Sequence, residues 1–144
     1  MTLSMSRAER EAFLAETHVA ILSVAEPGRG PLAIPVWYEY EPGRDVRIVT
    51  GGKSRKMTLL RAAGRATLCV QDEKPPYRYV TVEGPIASGV LDVDRDWRGT
   101  ATRYLGAQLG EVYLAGMAAA LADAVLFTLR PERWLTADFR KWRP

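Results

Sequence analysis

The chain has one cysteine, Cys69, and one histidine, His18. A single thiol excludes an internal disulfide and any cysteine-rich zinc site. A single imidazole leaves no cluster at metal-ligand spacing. Ser23, Ser54 and Ser88 stand at no recognisable motif distance from His18, so a hydrolase triad has no support and no catalytic residue can be named. Long apolar runs are also missing. The longest, around Tyr113–Leu121, is too short to span a bilayer. The opening MTLSMSRAEREAFL is charged and lacks the apolar centre of a signal peptide. These absences point to a cytoplasmic protein with no structural metal and no membrane partner. No recognised nucleic-acid motif is found, so the pI of about 9.2 is not read as a nucleic-acid footprint.

What is present fits one domain over residues 1–144, with 47% hydrophobic and 26% charged residues, enough to bury a core. Ser6-Arg7-Ala8-Glu9 has the capping-box form and predicts a short helix to about Glu16. The pattern then changes period. His18–Ala25 reads as a strand. Pro31–Glu41 alternates, with Leu32, Ile34, Val36, Tyr38 and Tyr40 on one face and Trp37 and Glu39 on the other. Asp45–Thr50 makes a third strand, and the short turns between the three predict an antiparallel meander. A helix is expected over Arg55–Ala63, closed by Gly64. Strands follow at Ala66–Gln71 and Tyr77–Leu91, the second bent or bulged near Gly84-Pro85. Asp94 is the expected cap of a helix carrying Trp97, Ala101, Tyr104 and Leu105, and Gly110 the expected break before a second helix. Ala124–Arg130 is the closing strand, followed by a basic, aromatic tail. Six or seven mostly antiparallel strands with short helices are best accommodated by a closed or split barrel, and their edges favour a dimer.

The charge excess is local. Between Lys53 and Arg65 there are five cations and no acid. The segment Gly51-Gly52-Lys53-Ser54-Arg55-Lys56 ends in the letters of a nucleotide P-loop, but Arg47 stands where that loop requires its first glycine. What remains is a strand end, two glycines and a helix start carrying a hydroxyl and cations. Unpaired N–H groups at a helix start attract phosphate. The alternative is that Ser54 merely caps the helix and the cations sit in water. Cys69 reads as a small buried hydrophobe, His18 as a packed imidazole, and Glu83 as a partner for Arg78 or Arg61.

The stretches IPVWYEY (Ile34–Tyr40), TGGKSRK (Thr50–Lys56) and CVQDEKPPYRYVTVEG (Cys69–Gly84), in this order, resemble the FMN-binding split β-barrel superfamily typified by pyridoxamine 5′-phosphate oxidase. Within it the chain is most similar to the flavin/deazaflavin oxidoreductase branch. The resemblance implies a mainly β, six- to seven-stranded antiparallel split barrel, homodimeric, with cofactor sites at the interface. It implies a phosphate clamp at Lys53, Ser54, Arg55 and Lys56, and a ring system along Pro35, Val36 and Trp37 that meets backbone groups there and at Thr50 and Gly51. Gln71 and Asp72 would lie near the far rim, with Pro75, Pro76 or Trp142 reaching in from the partner. For Trp37 a place on the barrel exterior or dimer seam is the competing expectation. The Arg143-Pro144 ending departs from the oxidase and argues against pyridoxamine phosphate oxidation; in sequences like this one the implied cofactor is the deazaflavin coenzyme F-420, with FMN as the alternative. The implied activity is hydride transfer between the coenzyme and an unsaturated or conjugated small molecule, with the proton supplied by solvent or by Tyr77. An FMN-dependent oxidase or a non-catalytic carrier of a flavin, deazaflavin or tetrapyrrole are the other readings.

Overall fold

A computed structural model describes residues 2–144. The elements in chain order are α1 (Arg7–Ala15), β1 (Ala20–Val24), β2 (Leu32–Val36), β3 (Val46–Gly51), α2 (Arg55–Ala63), β4 (Arg65–Asp72), β5 (Arg78–Val90), α3 (Val93–Asp96), α4 (Arg98–Leu105), α5 (Ala107–Gly116), α6 (Ala118–Ala122), β6 (Ala124–Leu129) and β7 (Arg133–Asp138). A 3-10 turn at Phe139–Lys141 follows. The capping box at Ser6 and Glu9 forms as expected, and α2 runs over the expected residues, with Gly64 left-handed at its end.

All strand pairs are antiparallel, in the order β2-β1-β4-β5-β6-β3, with β7 beside the first half of β5. The expected meander is only half present. β1 pairs with β2, but β3 pairs with β6, from the far end of the chain. The alternation through Tyr40 holds for burial and not for pairing: the β2 ladder ends at Val36, while Tyr38 and Tyr40 stay in the core. Beyond β2, Glu39 and Arg47 exchange two backbone hydrogen bonds of 2.9 Å. This single bridge joins the two ends of the strand order, so the sheet curls into a barrel that is almost open along one seam.

β5 is the spine. Its first half pairs with β4 on one edge and β7 on the other, and its second half pairs with β6. Between Glu83↔Arg133 and Ile86↔Leu129, four steps on the returning chain match three on β5, so the extra residue of a bulge lies at Arg130–Glu132. The expected distortion near Gly84-Pro85 is therefore real, with its surplus residue on the partner chain. Pro85 accepts through its carbonyl from the Arg130 N–H at 3.0 Å and needs no donor of its own. A Cβ on Gly84 would lie 1.7 Å from the Arg130 carbonyl oxygen.

The barrel interior is filled by alternate strand residues, including Leu22, Val46, Ile48, Leu68, Val70, Val80, Val82, Phe127 and Leu129. Phe13 and Leu14 of α1 and Met57 and Leu60 of α2 close its ends. The fully buried Tyr38 hydroxyl donates to the Leu14 carbonyl at 2.6 Å, and burial pushes its pKa far upward. A second core, around Trp97, Ala101, Leu114 and Leu121, lies under α3–α6 and takes in Trp37 and Val49. Here the helix boundaries differ from expectation. Asp92, not Asp94, caps α3 by accepting from the Arg95 N–H. The chain breaks at Trp97 and again at Gly106, whose φ is 84°. Gly110 lies inside α5, where a Cβ would stand 3.3 Å from the Ala101 backbone, so its role is close helix packing. The tail also contributes a strand, β7, that its polar and aromatic composition did not announce.

Asp96 ties this helical layer to the barrel seam. Its carboxylate accepts two 2.9 Å bonds from Arg95 and one of 3.0 Å from the Asp92 N–H, and Arg47 approaches at 3.7 Å. Arg47 also reaches Glu39 at 3.2 Å, at the closing bridge.

Two outcomes follow from these contacts. Gly84→Ala should cost more than about 3 kcal/mol or prevent folding, because the clash is with backbone; denaturant unfolding measures it. The Arg95 hydrogen bonds hold the Asp96 carboxyl down at about 2, below its ordinary 3.8. Its stabilisation is complete above that ordinary value and is lost as pH falls through the folded one. It should amount to about 1–2 kcal/mol, because the Arg95 side chain is solvated. Unfolding of wild type and Asp96→Asn should differ by that amount at neutral pH and converge in strong acid.

Candidate functional site

The head of α2 follows β3 directly. The Gly52 N–H donates to the Asp123 carbonyl at 3.0 Å, and a Cβ there would sit 2.9 Å from the same oxygen. The turn is therefore held against the start of β6, which requires a glycine. Ser54 caps the helix: its Oγ accepts from the Met57 N–H at 3.1 Å and donates to the Gly51 carbonyl at 2.7 Å. Arg55 pairs with Glu26 from the β1–β2 turn, and Arg61 donates to the Gly52 carbonyl at 3.0 Å. Lys53 is exposed. Thr50 is buried on the core-facing side of β3 and pairs with Val125.

Lys56 turns the other way. It lines a cleft of about 400 Å³ with Val19, Pro35, Val36, Trp37, Val49, Trp97 and Tyr113. Burial among these apolar walls lowers its pKa below the ordinary 10.5, and no carboxylate or hydrogen-bond acceptor opposes that effect. Among the described residues it is a half-buried cation without a counter-ion.

The aromatic wall is built, not incidental. The Trp37 ring stacks on Tyr104 with centroids 4.8 Å apart and planes 8° apart, and Tyr113 and Trp97 pack at 5.2 and 6.1 Å. The Tyr104 hydroxyl donates to the His18 carbonyl and accepts from the Tyr38 N–H at 3.2 Å. One residue of α4 thereby ties the segment just before β1 to the segment just after β2. Trp37 is thus neither fully on the exterior nor free on both faces, since one face is taken by Tyr104.

Four of the residues expected from sequence meet at one place: Pro35, Val36, Trp37 and Lys56. Gln71 and Asp72 line a neighbouring hollow of about 540 Å³ with Thr17, His18, Ile21 and Cys69, and Val19 is common to both. Pro76, after a cis Pro75–Pro76 bond, and Trp142 lie outside the cleft and are exposed. Tyr77 is exposed too and lies beside Phe139, whose N–H bonds its carbonyl at 2.9 Å. Cys69 is half-buried on the outer face of the sheet, not in the core. His18 packs on Phe13 at 4.6 Å, as expected. Glu83 pairs with Arg133 at 3.9 Å, whereas Arg78 pairs with Asp72 and Glu16. Val19, Val49, Trp97, Tyr104, Tyr113 and Glu26 were not among the expected site residues. The helical spacing of Trp97 and Tyr104 marks one face of a segment, but nothing in it says that Trp37 is what this face covers.

Comparison by sequence matches the chain to no protein-family model and to no curated protein. Solved structures are similar to it. A conserved hypothetical protein from Mycobacterium tuberculosis is 24% identical with a TM-score of 0.78, over 96% of this chain and 88% of that one. An F420 reductase is 23% identical with a TM-score of 0.63, over 87% and 94%. An FAD and heme binding protein from Mycobacterium smegmatis is 19% identical with a TM-score of 0.69, over 98% and 75%. These likenesses bear out the split-barrel fold expected from the sequence.

The Tyr104 pin has a measurable weight. Tyr104→Phe removes the hydroxyl from two backbone partners and should cost about 1–2 kcal/mol. Trp37→Ala should cost about 3–5 kcal/mol through the lost stack and cavity. Thermal or denaturant unfolding of both variants checks the order.

Proposed function

We propose that this split-barrel protein is an oxidoreductase that binds a phosphorylated flavin-type coenzyme in the Lys56 cleft, with deazaflavin coenzyme F-420 preferred and FMN as the alternative. The observation that carries the reading is the uncompensated, half-buried Lys56 ammonium at the head of a nine-residue helix, facing an apolar and aromatic cleft. A desolvated cation without a partner is costly, and an anionic ligand removes that cost. The residues fit such a group: a cation for phosphate, a flat apolar wall at Pro35–Trp37 for a ring, and a covered far side. The bound coenzyme would supply the hydride chemistry.

The chain's own residues then have separable tasks. Lys56, with Lys53 and the free N–H groups of the first turn of α2, holds the phosphate. Ser54 and Arg61 fix the shape of the Gly51–Gly52 turn, and the single hydroxyl hydrogen of Ser54 goes to the Gly51 carbonyl. Trp37, backed by Tyr104, sets the plane of the ring and keeps water from one side. Gln71 and Pro76 lie further along the proposed path, the first through the adjoining hollow and the second through a partner chain.

A homodimer is part of the reading. Pro35, Ile21, Cys69, Thr81 and Leu135 stand opposite one another in one row across five strands. The row carries no charge, and Ile21 and Leu135 are exposed. A second copy laid on this face would cover it and bring a partner's Trp142 toward the cleft. Replacing Leu135 with Arg should shift sedimentation toward the monomer.

Lys56→Ala should weaken binding of both FMN and F-420 by about 1.5–3 kcal/mol, read by fluorescence titration; unchanged affinity sinks the reading. Because the Lys56 pKa is lowered, its charge is lost at a lower pH than that of an exposed lysine. Affinity should therefore fall as pH rises toward the ordinary lysine range, and Lys56→Arg should flatten that fall.

A further inference from the structure

We infer that Glu26 is a specificity-determining residue of this anion site, selecting a singly charged phosphodiester over a doubly charged phosphate monoester. The inference rests on the reading above and adds to it which phosphate chemistry the site takes.

Sequence alone makes the head of α2 look like a dense cationic clamp. The structure divides those groups differently. Arg55, the first residue of α2, directs its guanidinium to the Glu26 carboxylate. Glu26 comes from the β1–β2 turn, its side chain is only 13% exposed, and Arg29 of the same turn approaches it at 3.7 Å. The carboxylate is thus a sheltered, fixed negative charge held against the guanidinium of the helix's first residue. Arg61 is bound to the Gly52 carbonyl, and Ser54 gives its hydroxyl hydrogen to Gly51. Among the described residues of this segment, Lys53 and Lys56 are the cations left without an internal partner.

A fixed negative charge acts on a ligand in proportion to the ligand's own charge. A phosphate monoester carries about −1.5 to −2 near neutral pH, and a diester about −1. Glu26 therefore opposes the monoester about twice as strongly in free energy. It also withholds the planar, two-pronged donor of Arg55, the group best suited to the extra oxygen charge of a monoester. FMN ends in a monoester, whereas the phosphate of the deazaflavin coenzyme is a diester, so the same carboxylate that neutralises Arg55 favours the second.

Riboflavin 5′-phosphate and its monomethyl phosphodiester differ by one charge and one methyl group, and they test this cleanly. Glu26→Gln should raise affinity for the diester by about threefold and for the monoester by about the square of that, roughly ninefold. Glu26→Asp, which keeps the charge, should retain the wild-type preference. In wild type the preference for the diester should shrink as salt is added. Equal gains for both probes, or none, with binding still dependent on Lys56, would overturn the role of Glu26 and leave the coenzyme site standing. Failure of both probes to bind wild type and variant alike would overturn the site and this inference together.

Discussion

The molecule is organised around the place where two extended chains touch with nothing between them. At Gly84 the backbone of β5 meets the Arg130 carbonyl so closely that a single methyl group has no room. That contact lets β5 bend there and serve both halves of the sheet, with β4 and β7 flanking one half and β6 the other. It also sets the one-residue slip that divides β6 from β7. Through β6 it fixes β3, and through β3 the strand end from which the Gly51–Gly52 turn and α2 project. The position of Lys56 thus depends, through β6 and β3, on a glycine of β5.

Given that frame, two opposed forces define the cleft. Hydrophobic burial draws Trp37, Val49, Trp97 and Tyr113 together beneath α3–α6. The same walls exclude water from Lys56 and disfavour its charged form. A protein that needed only a stable barrel would have no use for an ammonium group there. An apolar residue of similar length would pack more favourably against the aromatic rings. The charge is therefore best understood through what it can attract.

Much of this was legible in the sequence, and what was not failed for identifiable reasons. Local signals held: the Ser6–Glu9 box, the Ser54 cap and the left-handed Gly64 each depend on residues within a few positions. The alternation from Leu32 to Tyr40 gave the burial correctly, yet it could not show that pairing stops at Val36 and resumes once, at Glu39, with a different strand. Strand partners separated by most of the chain, such as β3 and β6, leave no mark in either segment alone. Gly110 and Gly106 show the same limit in the helices. Both are glycines within an apolar stretch, and only tertiary contact decides that one permits close packing and the other breaks the helix. For the site, Pro35, Val36, Trp37 and Lys56, from the motifs IPVWYEY and TGGKSRK, line one cleft. Tyr104 and Glu26 do not belong to those motifs and enter only through packing.

That last pair shows how a cation-rich segment becomes selective. Counting charges from Lys53 to Arg65 gives an undiscriminating attraction for any anion. Hydrogen bonds within the fold then remove candidates one at a time. Ser54 gives its hydroxyl hydrogen to the turn, Arg61 directs one guanidinium nitrogen to the Gly52 carbonyl, and Arg55 pairs with Glu26. The cations without an internal partner among the described residues, Lys53 and Lys56, are flexible ammonium groups rather than planar forks, and Lys56 is partly desolvated. Such a set holds charge without dictating oxygen geometry. On the proposed reading, discrimination among anions rests on fixed groups such as the Glu26 carboxylate and the Trp37 wall, and not on the number of positive charges.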